Sequence, residues 1–190
     1  NLETLSYVHN HTGGSTGEPL QYLLSTQDLS RGVALLHRGW SYAGYRPGDS
    51  VAVIAGASLI PSARSSLRRW VISLLRNVRS YSSYEMSDER LIRYVRSLNE
   101  CKPSFVRGYA SSIYTLASFV RDRGLPLECS PLAVFTTSEK LLKGQRKVIQ
   151  EVFKTEVFDQ YGLHDGCVSA SECDRFCGMY VEMERAILEV

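Results

Sequence analysis

The sequence predicts an α/β fold, with a mixed sheet and helices on its faces. Three observations carry that expectation. Short apolar runs, clearest at 51–55 and 133–137, have the length of buried strands. Between such runs lie segments of about 10–15 residues whose apolar positions recur at helical spacing, the rhythm of βαβ units. The composition, 44% apolar and 22% charged over 190 residues, belongs to a chain that can bury a core.

The elements follow in order. Residues 27–40 place Leu29, Val33, Leu36 and Trp40 on one face, with Thr26 as N-cap. Gly48 and Asp49 turn the chain into the strand at 51–55. Leu67, Trp70, Val71, Leu74 and Leu75 mark a helix at 64–78. Ser87 caps another, with Asp88 and Glu89 in a first turn whose dipole favours acids and a buried face of Leu91, Val95 and Leu98. Pro103 ends it, and a short strand starts at Phe105. Ile113, Leu116, Ala117 and Val120 give a helix at 112–123 that stops at Gly124. A strand at 133–137, a helix at 141–153 and a strand at 156–160 come next. The tail breaks the alternation with two successive strand candidates, 179–183 and 186–190.

Charge and composition exclude several classes. With 22 basic and 20 acidic side chains, a net charge of +2 is too balanced for general nucleic-acid binding. No run of 18 apolar residues exists, so the sequence predicts no membrane span. The start, Asn1-Leu2-Glu3, has neither an initiator Met nor a basic-then-apolar leader, and the chain reads as a piece of a longer cytoplasmic protein. Five cysteines, an odd number, read as reduced thiols rather than a disulfide framework. Residues 64–96 hold eight arginines against three acids. Arg64, Arg68, Arg69, Arg76 and Arg79 fall largely opposite the Leu67/Trp70/Leu74 stripe. They form either a solvated face whose stems cover apolar surface or an anion-binding face.

The most informative stretch is Thr12-Gly13-Gly14-Ser15-Thr16-Gly17-Glu18-Pro19. Glycines let backbone amides approach an anion, and hydroxyls add donors, so the loop suits a polyphosphate. It is not a Walker loop, because no Lys-Ser/Thr pair follows at the required spacing. It resembles the phosphate-binding signature of the adenylate-forming enzymes, [ST]-[SG]-G-[ST]-T-G-x-P. A lysine is common there where Glu18 stands. The T-G-G-S-T-G form is similar to that of the phenylacetate–CoA ligase and capsular polysaccharide biosynthesis (CapK-like) branch.

Three further segments resemble this family in its own order. Thr137-Ser138-Glu139-Lys140 matches an S-x-E turn after a strand. Asp159-Gln160-Tyr161-Gly162-Leu163-His164-Asp165 matches D-x-Y-G-x-[ST]-E, with His164 replacing a hydroxyl and Asp165 replacing Glu. Glu172-Cys173 and the ending from Gly178 to Val190 match the branch's tail, with Tyr180 where His is usual. Gly108-Tyr109-Ala110-Ser111-Ser112 resembles its G-Y-P-S segment beside the acyl site, with Ala110 replacing Pro.

The resemblance implies a site. Thr12, Gly13, Gly14, Ser15, Thr16 and Gly17 would grip the β- and γ-phosphates of ATP. Ser138 and Glu139 would contact adenine or the acyl pocket, and Tyr161, followed by Gly162, would stack on adenine. His164 would meet the α-phosphate, and Asp165 would hold Mg²⁺; these two are the catalytic candidates. Cys167, Cys173 and Cys177 are either buried thiols or contributors to a structural Zn²⁺ site. Trp40, Tyr42, Tyr45, Tyr109 and Tyr114 are available for an aryl pocket or for the core.

Residues 1–190 would then be a fragment of the large N-terminal adenylation domain, without its start and without the C-terminal lid. The implied function is ATP-dependent activation of a carboxylate to an acyl-adenylate, then transfer to CoA or another acceptor, with the fragment alone inactive. The alternative is a non-catalytic nucleotide-binding or assembly protein of a capsular or exopolysaccharide locus.

Overall fold

Alternating side chains along parallel strands build two cores, one on each face of a seven-stranded sheet. The structure is a computed structural model that describes residues 6–11, 20–56, 77–163, 167–185 and 189. Strands β1 (Tyr7–His11) and β2 (Gln21–Ser25) form an antiparallel hairpin, followed at once by helix α1 (Thr26–Ser41). Next come β3 (Val51–Ala55), β4 (Val78–Ser82), α2 (Asp88–Cys101), β5 (Phe105–Tyr109) and α3 (Ala110–Arg123). The chain continues through β6 (Ala133–Thr137), α4 (Lys143–Phe153), β7 (Val157–Leu163), β8 (Val168–Glu172) and β9 (Met179–Val181). The sheet order is β4-β3-β5-β6-β7-β8-β9. Pairing is parallel as far as β7 and antiparallel from β7 through β9.

One face carries Ala52, Ile54, Val106, Val134 and Val157 under α2, α3 and α4, which contribute Leu98, Leu116, Ile149 and Phe153. The other carries Val51, Val53, Phe105, Phe135 and Phe158, covered by Trp40 and Tyr45. Trp40 stacks on Phe135 at 5.2 Å between centroids, and Phe105 stacks on Phe135 at 5.5 Å. Each fully buried ring or branched side chain contributes about 1.5–3 kcal/mol by leaving water. Trp40 and Tyr45 are therefore core residues, and the parallel strands read as continuous apolar runs because both faces are covered.

The α/β expectation holds, as do β3, β6 and the predicted buried face of α2. Several details differ. The N-cap of α1 is Ser25, whose Oγ accepts from the Asp28 N–H at 3.0 Å, and not Thr26. Leu35, Gly39 and Trp40 are the buried face of α1, while Val33 is exposed, because the helix packs against β8 instead of lying flat on the parallel strands. The predicted helix at 64–78 overlaps β4, which begins at Val78; residues 64–76 lie outside the described residues. The strand predicted at 156–160 runs on to Leu163, because β8 pairs with it past the end of the β6 ladder. Strand β9 covers only the first part of 179–183, and the candidate at 186–190 lies almost wholly outside the described residues. Among the described residues, no helix is long and apolar enough to cross a membrane.

Two glycines separate close packing from open space. A Cβ on Gly108 would lie 2.1 Å from the Ile54 carbonyl oxygen, which is strand backbone and cannot yield. A Cβ on Gly144, in the first turn of α4, would meet nothing within 4 Å. Gly108→Ala is expected to lose about 2–4 kcal/mol by overpacking and displacement of β5 from β3. Gly144→Ala is expected to gain about 0.5–1 kcal/mol from the lower entropy of the unfolded chain. Urea denaturation of both variants checks the pair.

Candidate active site at the carboxyl ends of the parallel strands

Open α/β sheets bind ligands outside the carboxyl ends of their strands. Here Tyr109 of β5 is level with Thr137 of β6, and Thr137 is level with Gln160 of β7. That register brings Ser138 and Glu139, which follow β6, beside Tyr161 and Gly162 of β7 along one rim. Ser138 adopts a left-handed φ of 67° and is exposed. It does not cap the next helix: α4 starts at Lys143, and the Leu142 N–H donates to Gln145 Oε1 at 3.0 Å. Glu139 instead reaches across to α3, where its Oε2 accepts from the Ser111 N–H at 2.8 Å. A carboxylate thus sits on the positive end of that helix.

Tyr161 is 47% exposed, one residue past the last one that β6 pairs, so that only β8 flanks it. A Cβ on neighbouring Gly162 would meet nothing within 4 Å, so the space beside the ring is open. On the β3 side of the rim, a Cβ on Gly56 would fall 3.1 Å from Tyr84 Oη and 3.2 Å from Tyr109 Oη. Two phenol hydroxyls therefore converge over a residue without a side chain. Sequence reasoning missed Tyr84 because it follows β4, a strand whose sequence, Val-Arg-Ser-Tyr-Ser, is too polar to announce itself.

A polar network supports β7 from below. Arg146 Nη2 donates to both oxygens of the Glu172 carboxylate at 2.8 Å, and Arg146 Nη1 donates to the Val157 carbonyl at 2.5 Å. Glu172 Oε2 also accepts from the Asp159 N–H at 2.7 Å. Thr136 Oγ1 donates to Asp159 Oδ1 at 2.6 Å. Burial raises the Asp159 carboxyl above its ordinary value, against the Thr136 hydrogen bond, which lowers it. On the opposite face, Trp40 Nε1 donates to Gln160 Oε1 at 3.0 Å, and Gln160 Nε2 donates to Ser171 Oγ at 3.3 Å. Arg38 of α1 pairs with buried Glu182 and grips Glu184 at 2.6 and 2.8 Å. The hydrogen bond from Arg38 pulls the Glu184 carboxyl down to about 2.

Thr12, Gly13, Gly14, Ser15, Thr16, Gly17, His164 and Asp165 lie outside the described residues. The glycine-rich segment connects β1 to β2, a hairpin the sequence reading did not anticipate. Cys167 and Cys173 are half-buried, Cys177 is exposed, and all five cysteines are thiols. Among the described residues, no group of three or more His, Cys, Asp or Glu side chains is placed to hold a metal ion.

Glu172→Ala removes the carboxylate that serves both the Arg146 guanidinium and the Asp159 N–H. It is expected to cost about 3 kcal/mol in denaturant unfolding, since a partly buried charge is left uncompensated. For Asp159 the sign is the reverse of a paired carboxylate. Its folded value is raised, so its contribution to stability is full below the ordinary value of 3.8 and falls as pH rises to the raised one. Asp159→Asn is expected to lose that fall when unfolding is followed from about pH 3 to 7.

No family model matches the chain. It is 27% identical to Protein CapK of Staphylococcus aureus over 161 residues, which is 85% of this chain and 36% of CapK. The chain thus spans about a third of that curated relative's length. Its fold is similar to 2-hydroxyisobutyryl-CoA ligase in an open conformation with 2-HIB-AMP and CoA, at 21% identity and a TM-score of 0.64 over 93% of this chain and 41% of that one. It is also similar to an ATP-bound RpMatB-BxBclM chimera, at 16% identity and a TM-score of 0.57 over 94% of this chain and 32% of the chimera. The mixed sheet and its helices thus share the fold of these ligase structures, and the sequence is similar to CapK.

Proposed function

We propose that this chain supplies the nucleotide- and acid-binding rim of an adenylating domain, whose full-length protein activates a carboxylate with ATP and passes the acyl group to CoA or another acceptor. The observation that carries the reading is the half-exposed Tyr161 ring beside open space at Gly162, one strand away from the Ser138–Glu139 turn. A planar base fits against such a ring, and the turn closes the same rim.

In the first half-reaction a carboxylate oxygen of the acid attacks the α-phosphorus of ATP. The bond to pyrophosphate breaks, leaving an acyl-adenylate. In the second, a thiol or other acceptor attacks the acyl carbon and AMP departs. Negative charge gathers on phosphate oxygens, so donors aimed there lower the barrier. The assigned roles are backbone amides and hydroxyls of Thr12 to Gly17 for the β- and γ-phosphates and a His164 N–H for the α-phosphate. Asp165 offers hard carboxylate oxygens of the kind that suit Mg²⁺, which when bound neutralises phosphate charge. Glu139 keeps its carboxylate on α3, so its part is to hold the turn that presents Ser138.

ATP–pyrophosphate exchange by the full-length protein, run against aryl, fatty, amino and dicarboxylic acids, tests the reading. Exchange that depends on one class of acid is the expected result. ATP binding without exchange for any acid would favour the non-catalytic nucleotide-binding alternative. Tyr161→Ala is expected to raise KM for ATP by about tenfold, the value of one aromatic–base stack, while Tyr161→Phe retains most of the affinity.

A further inference from the structure

Arg107 lies in the middle of β5, level with Val53 of β3 and Phe135 of β6, on the apolar face that Trp40 covers. Its guanidinium carbon sits 5.1 Å from the centroid of the Trp40 ring. Its Nε is sealed from solvent without a hydrogen-bond acceptor, while the residue as a whole is only half-buried, so the outer edge of the group is reachable. Arg38 and Arg146 each hold carboxylates. Arg107 has no carboxylate partner among the described residues. Burial lowers its pKa to about 10, so it remains a cation at neutral pH.

A partly buried cation without a counter-charge is costly, and contact with one ring offsets only part of that cost. The Trp40 indole N–H is already committed to Gln160 and polarises nothing here. Uncompensated charges of this kind persist where a ligand completes them. The position says which part of a ligand. Arg107 is two residues before Tyr109, so it lies about 6–7 Å deeper along the strand than the rim. The reacting carboxylate must end at the rim, beside the phosphates. An arginine clamped on that nucleophile would also stabilise the ground state and slow the attack. The group that meets Arg107 is therefore at the far end of the acid.

We propose that Arg107 receives a second carboxylate of the acid being activated, which makes the substrate a dicarboxylate. The inference rests on the adenylating reading, and its test separates the two. Exchange by the full-length protein is measured with linear dicarboxylates and with monocarboxylates of equal length, for the parent and for Arg107→Met. The parent is expected to prefer diacids, and in Arg107→Met the diacid-to-monoacid ratio of kcat/KM is expected to fall at least tenfold. An unchanged ratio, or a parent that prefers monoacids, overturns the proposal. Should the parent exchange with no acid at all, the adenylating reading fails, and calorimetric titration with the same diacids still decides on Arg107. Binding that weakens at least tenfold in Arg107→Met supports it, and equal or absent binding overturns it. The melting temperature is a further readout. A ligand-binding arginine replaced by an apolar isostere leaves Tm unchanged or higher, whereas a structural one lowers it.

Discussion

One carboxylate holds the point where the sheet changes direction. Strand β7 pairs in parallel with β6 and antiparallel with β8, and a strand with two such partners needs something to fix their relative height. Glu172, at the end of β8, accepts from the backbone of Asp159 in β7 and from Arg146 in α4. Arg146 in turn reaches the Val157 carbonyl at the start of β7. Helix, parallel body and antiparallel extension are thereby locked together through one ion pair that is mostly out of solvent. Because side chains alternate along a strand, a slip of one residue would turn Tyr161 to the other face and bring Gln160 to its place.

The second anchor of the extension is α1. It crosses β8 so closely that Gly39 admits no side chain: a Cβ would lie 2.3 Å from Ser171 Oγ. That approach lets Trp40 and Gln160 bond across a sequence separation of 120 residues. The same helix carries Arg38 to Glu182 and Glu184, beyond β9. Helix α1 follows directly on β2, so the residues that secure the antiparallel strands also seat the hairpin from which the glycine-rich segment leaves.

What the sequence disclosed follows from where each element is buried. Helices α2 and α3 carry one apolar stripe each, and β3 and β6 are covered on both faces, so periodicity alone locates them. Strands β4 and β8 lie outside the doubly covered centre and mix serines, acids and arginines with apolar residues, which erases the signal. The hairpin β1–β2 is mostly exposed and gives none either. At the site, Ser138 and Tyr161 are legible only through short motifs, because a turn and one tyrosine have no periodicity. Tyr84, Gln160 and Glu172 owe their places to pairing across strands and helices, which no local window contains.

Two arginines on opposite faces of the same sheet show how structure separates support from recognition. Arg146 spends both of its terminal nitrogens on Glu172 and a strand carbonyl, and its charge joins elements. Arg107 has a ring beneath it and a sealed Nε, with no carboxylate of the described residues to meet it. If its role were packing, an apolar side chain of the same length would fill the space beside Trp40 without the cost of a buried charge. The fold has the means to pair an arginine with a carboxylate, as it does at Arg38 and Arg146 among others. Leaving this one unpaired, a few residues below the rim, keeps a charge in reserve for an acid that arrives from outside.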